Sequence, residues 1–239
     1  MRIPFKNKLL VLSVLSIIVY VGGCVDTSVQ TIPDSIDYRS QIKIVNLVSG
    51  GGTATITLNN VSLGTLDPGN ELPNSSASFL DVPSGNKVLS VNYSADSLRQ
   101  YRFAADTEYK MRIYLVGTPG SAQVVKNLQR YIWQTKDSQN GAKLFPADTG
   151  HVQYFNGSPF ATLNSVTING TDVIEFDTPL ATGQIYPYSK LAAGNYSFDV
   201  LYNDTLHTTF DYTVSSKGRY TIIFFDNSGN LQSKVLVDD

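Results

Sequence analysis

The chain has 239 residues, 42% of them apolar and only 16% charged, so it can build a core and is no disordered charged tail. Its 18 Lys+Arg against 20 Asp+Glu give a formal charge of -2, which excludes the broad basic face that nucleic-acid binding requires. One cysteine and two histidines exclude a disulfide framework and a cysteine-based zinc cage, and nothing in the sequence asks for a metal or a cofactor.

The chain begins with the basic residues Arg2, Lys6 and Lys8 and an apolar run over 9–21. The run is shorter than the ~20 residues of a membrane-spanning helix, which makes it a secretory signal. It ends in Val21-Gly22-Gly23-Cys24, small residues directly before the only cysteine. This segment resembles the bacterial lipobox. The resemblance implies removal of residues 1–23 and acylation of Cys24, with more than the two lipid signals that stable anchoring takes at ~0.8 kcal/mol per buried CH₂. An ordinary signal peptide with an incidental cysteine, or an uncleaved anchor, is the alternative. Cleavage would remove three basic and no acidic residues, leaving 15 Lys+Arg against 20 Asp+Glu, a net of -5. Val25 rather than Asp follows the cysteine, so the bacterial outer membrane is the expected location. Residues 24–40 are polar, with no sustained period, and read as a tether.

Everything after the tether alternates in short runs broken by Gly, Pro, Asn and Asp. Strands are predicted at 41–48, 53–60, 76–81, 87–93, 99–104, 109–117 and 122–128. A second set is predicted at 151–155, 162–168, 172–177, 185–191, 196–202, 207–214, 219–225 and 231–237. Asn169-Gly170 supplies the two positive-φ residues of a type I′ hairpin. The Asp226-Asn-Ser-Gly-Asn230 segment is read the same way, because it lacks the downstream Glu of a calcium loop.

The two sets repeat one another. Residues 78–93 align with 187–202 at an offset of 109, and 42–46 align with 152–156 at an offset of 110, in the same order. Two tandem Ig-like antiparallel β-sandwich domains are therefore expected, at 41–135 and 147–239, an all-β fold. The pattern over 42–46, 56–64, 79–93 and 109–116, with its partners 152–156, 166–170, 188–202 and 220–225, resembles the domain of unknown function 4397 family. That resemblance implies tandem β-sandwich modules on secreted bacterial proteins and lipoproteins, and it brings no catalytic residue with it.

Catalytic chemistry is hard to find. There is no Gly-x-Ser-x-Gly elbow, His151 and His207 fall in different predicted domains, and the carboxylates form no distinctive pair. No enzyme activity and no catalytic residue are expected, and a hydrolase ranks last among the readings. Aromatic residues are the most suggestive feature, with 14 Tyr, 11 Phe and one Trp. Tyr131 and Trp133, and separately Tyr186 and Tyr188, are spaced to share a strand face and are the candidate ligand-binding residues. The alternative is that they line the core or the domain junction. The expected function is non-covalent recognition of an envelope protein or a glycan by a membrane-anchored module, or a structural role in the envelope. Carbohydrate capture beside a polysaccharide-uptake system is the alternative reading.

Overall fold

A computed structural model describes residues 38–239, apart from 75–77, 94–97, 108, 131–147, 228 and 239. Cys24, the signal, the tether up to residue 37, Tyr131, Trp133 and the expected domain boundary lie outside the described residues. Tyr38–Asp239 form one compact unit.

Among the described residues there is no helix. The first half contains β1 (Arg39–Val48), β2 (Ala54–Leu58), β3 (Val61–Leu66), β4 (Glu71–Leu72), β5 (Leu80–Pro83), β6 (Gly85–Asn92), β7 (Arg99–Ala105), β8 (Tyr109–Gly117) and β9 (Gln123–Arg130). The second contains β10 (Thr149–Asn156), β11 (Leu163–Ile168), β12 (Asp172–Leu180), β13 (Ile185–Ala192), β14 (Gly194–Tyr202), β15 (Leu206–Val214), β16 (Arg219–Asn227) and β17 (Asn230–Val237). One sheet has the order β4-β1-β8-β9 with β5 also on β1, and the second β3-β2-β6-β7. The later strands repeat these orders as β13-β10-β16-β17 and β12-β11-β14-β15. Each half is thus a sandwich with the same strand order.

The all-β sandwich expected from the sequence is present, with one exception to antiparallel pairing in each half. β1 runs parallel to β8, and β10 runs parallel to β16. Strand β3 was not predicted: no strand was expected between 60 and 76, and the expected strand 53–60 runs into the turn at Asn59-Asn60. Asn59 and Asn60 both take positive φ (48° and 66°) and turn the chain from β2 back into 61–66 as a two-residue hairpin. Asn169 (φ 51°) and Gly170 (φ 73°) make the predicted turn.

The repeat extends to its polar joints. Asn46 Nδ2 donates to the carbonyls of Gly52 (3.2 Å) and Leu66 (3.0 Å), and its Oδ1 accepts the N–H of Val48. Asn156 does the same with Ala161 (2.7 Å), Leu180 (2.8 Å) and Ser158. Both side chains are fully buried, and each pairs buried backbone carbonyls, Leu66 in the first sandwich and Ala161 and Leu180 in the second. Asn59 Oδ1 takes the N–H of Val88 and Asn169 Oδ1 that of Ser197, latching each hairpin to the neighbouring strand.

The central strands are buried on both faces. In β1, Ile42 and Ile44 enter the core of the first sandwich, while Lys43, Val45 and Leu47 turn the other way and are equally buried. In β16, Tyr220, Ile222 and Phe224 fill the second core, while Ile223 and Phe225 face outward into a third cluster. That cluster joins Val45, Leu47, Tyr114 and Val116 to Phe155, Ile223, Phe225 and Leu236, with Tyr114 stacked on Phe155 at 3.9 Å between centroids. The two sandwiches therefore pack sheet against sheet through a buried seam, apolar over this cluster, and are not beads on a linker. Each fully buried large side chain there is worth about 1.5–3 kcal/mol.

The register fixes the ends. Leu47 at the end of β1 lies against Gly157 at the end of β10, and Arg112 near the start of β8 meets Asp238 opposite the start of β16. Loops 49–53, 118–122, 157–162 and 181–184 thus gather at one end. Tyr38 enters at the other, about 33 Å away along the ten residues of β1.

Candidate binding site

Tyr186 and Tyr188 do not share a face. Val152 pairs with Ser189 but Tyr154 pairs with Tyr186, so Pro187 and Tyr188 stand opposite Gln153 alone. Pro187 has no N–H to give to the ladder, and the extra residue forms a β-bulge that reverses the alternation. Pro187 inside a predicted strand was the available signal.

Tyr186 points toward the second core. Its ring packs against Phe176 (4.9 Å between centroids) and Tyr154 (6.4 Å), and its hydroxyl makes no hydrogen bond among the described residues. It lines a groove of about 400 Å³ between the edge strands β12 and β13, with Asp177, Thr178, Gln184 and Ile185. The volume suits a small ligand. A fixed aromatic ring beside a carboxylate, a hydroxyl and an amide can bind a polyhydroxylated molecule by stacking and hydrogen bonding.

Tyr188 faces the seam instead. Its hydroxyl donates to Asp238 Oδ2 (2.7 Å), and the guanidinium of Arg219 lies over its ring at 4.8 Å. Phe79, its counterpart in the repeat, likewise lies under Lys43 and Lys110, each 5.0 Å from its centroid. The aromatic at this repeat position is a platform for a cation. Tyr188 is part of the joint between sandwiches, as one of the alternatives for the aromatic residues had it.

That joint contains a buried polar network that sequence reasoning missed. Lys43 Nζ donates to Glu71 Oε1 (2.8 Å), and Arg112 Nη2 donates to Glu71 Oε2 (3.2 Å) and to the Val237 carbonyl (3.0 Å). Arg112 Nη1 donates across the seam to Asp238, which also accepts from Thr221 (2.8 Å). Gln153 Nε2 in turn donates to Thr221 Oγ1 (2.7 Å). Arg112 is 1% exposed and Asp238 equally so. Two cations and two carboxylates cancel, which is what allows charge to be buried here.

Burial lowers the Lys43 ammonium from its ordinary value, though Glu71 opposes the shift. Burial pulls the Arg112 guanidinium down too, but Asp238, Tyr114 and Glu71 outweigh it and raise it. Burial pushes the Tyr114 phenol up to about 12. Burial, then Asp238, pushes Tyr188 well above the usual range. Opposite charges face one another across the seam, and the network serves as a joint between the sandwiches. Its signal in the sequence is a lone cation within a run that is apolar at both parities, Ile42-Lys43-Ile44-Val45 and Met111-Arg112-Ile113-Tyr114.

No family model and no curated protein sequence matches the chain. Among solved structures it is similar to a candidate cell adhesion protein from Bacteroides uniformis ATCC 8492, with 6% identity over 84% of this chain and 98% of that one and a TM-score of 0.24. It is also similar to CBMbc, a family CBM26 module of Eubacterium rectale Amy13K solved in complex with maltoheptaose, with 12% identity over 81% of this chain and 96% of that one and a TM-score of 0.21. At scores this low the two likenesses carry no weight for ligand or partner.

Proposed function

We propose that this chain is a lipid-anchored module of the bacterial cell envelope that holds a protein or glycan without transforming it. The reading is supported above all by the opposition of its two ends. Tyr38, the first described residue and part of the expected 24–40 tether, enters at one end, and loops from both sandwiches gather at the other. The loops at the end away from Tyr38 are the surface offered to a partner, and the buried seam keeps both sets in one orientation. The proposed location is the outer membrane.

The test is Cys24→Ala in the cells that make the protein. The wild-type chain is expected in the membrane fraction, labelled by an alkyne fatty acid, and the variant is expected unlabelled. An unlabelled wild-type chain, or a variant that keeps its label, overturns the reading.

A second reading, carbohydrate capture, is favoured by the groove beside Tyr186. It requires that a binding oligosaccharide be found on a glycan array and that Tyr186→Ala abolish that binding.

A further inference from the structure

Phe160 is 64% exposed, yet the loop that carries it is tied down on every side. Ser158 Oγ accepts the N–H groups of Phe160 (3.1 Å) and Ala161 (3.0 Å) while donating to the buried Asp226 carboxylate (2.5 Å). Thr182 Oγ1 donates to the Ser158 carbonyl (2.7 Å). From the next hairpin, Asn203 accepts the N–H of Thr162 (2.8 Å) and donates to the Phe160 carbonyl (3.2 Å). The corresponding loop of the first sandwich has Gly50, Gly51 and Gly52, with Gly51 laid against the Tyr93 ring, and displays no aromatic side chain.

Leu206, 48% exposed, follows the same 203–205 turn. Asp204 in that turn is bound by the neutral side chain of Asn164 (2.8 Å) and has no cationic partner among the described residues. The end of the second sandwich is thus a pre-ordered apolar knob bearing one negative charge, and such a knob loses little conformational entropy on docking.

The first sandwich carries a matching recess. Between the edge strands β7 and β9 lies a groove of about 510 Å³ lined by Tyr101, Phe103 and Val124, with Arg102 and Lys126 beside them. Arg102 has no carboxylate partner among the described residues, and Lys126 approaches Asp106 only at 3.8 Å. The groove beside Tyr186 contains Asp177 instead of a cation, so it would repel the knob. Knob and recess both lie toward the end away from Tyr38, so copies standing side by side can bring them together.

We propose that copies of this chain associate with one another, Phe160 and Leu206 of one entering the β7–β9 groove of the next with Asp204 beside Arg102. Because the knob and the recess are different surfaces, the contact is heterologous and runs head to tail, as a ring where the rotation closes and as an open row where it does not. It does not depend on the lipid anchor, which would only raise the local concentration.

The test uses the full chain, whose only native thiol is Cys24. Thr205→Cys, in the exposed turn beside the knob, and Gln123→Cys chains with different tags are made in the same cells and oxidised with copper phenanthroline. A mixed disulfide above the wild-type background is expected only when both are present. Adding Arg102→Glu to the Gln123→Cys chain is expected to reduce it about tenfold by like-charge opposition, and Asp204→Lys on the Thr205→Cys chain to restore it. No mixed disulfide, a Thr205→Cys homodimer in equal yield, cross-links to another protein in its place, or indifference to Arg102→Glu would each overturn the proposal.

Discussion

His151 begins the parallel pair of the second sandwich and is buried there. Burial, with Lys190 and Arg219 adding to it, lowers its imidazole below the ordinary 6.5. The unfolded chain therefore takes up this proton at a higher pH than the folded one, and stability falls as pH drops through 6.5. His151→Gln is expected to flatten the fall in urea midpoint between pH 7 and pH 5.5. An unchanged slope would show that other groups cause it. The residue scale is also where the candidate site was hardest to read. Tyr186 and Tyr188 are spaced to be neighbours on one face, and a single proline-induced bulge sends one to a groove and the other to the seam. Alternation predicts facing only where the ladder is unbroken.

At the scale of elements, the two copies of the repeat meet through faces that have become unlike. Leu47 in β1 corresponds to Gly157 after β10, and in the structure the two touch. A Cβ on Gly157 would stand 2.5 Å from Leu47 Cδ1 and 3.1 Å from the Phe224 carbonyl, so the glycine is the hole for the leucine knob. Gly157→Leu is expected to cost about 1–3 kcal/mol by overpacking. Leu47→Ala should return part of that, giving a clear coupling in a denaturant double-mutant cycle. Strict additivity would mean that the two sites do not share this space. The strands themselves were largely legible, because alternation and turn residues are local. Strand β3 was not, since Val61–Leu66 is short and contains a glycine, and the hairpin into it rests on the positive-φ pair Asn59-Asn60.

For the whole molecule the seam decides how the two sandwiches behave. Arg112 reaches across it to Asp238, and Tyr114 stacks on Phe155 beside it. Wild-type protein is expected to unfold in one calorimetric transition. Arg112→Met leaves Asp238 and Glu71 buried without their shared cation, and is expected to cost about 3–5 kcal/mol and to separate the transition into two. Two separate transitions in the wild type would show that the seam does not couple the halves.

By itself the sequence determined the all-β class, the turns and the internal repeat. All three follow from local conformational preference and from comparing the chain with itself. Only the tertiary structure decided that the central sheets are covered on both faces, which charges neutralise each other between them, and where each tyrosine points. Those are non-local matters: a run such as Ile42-Lys43-Ile44-Val45 records that both of its faces are covered, but not what covers them.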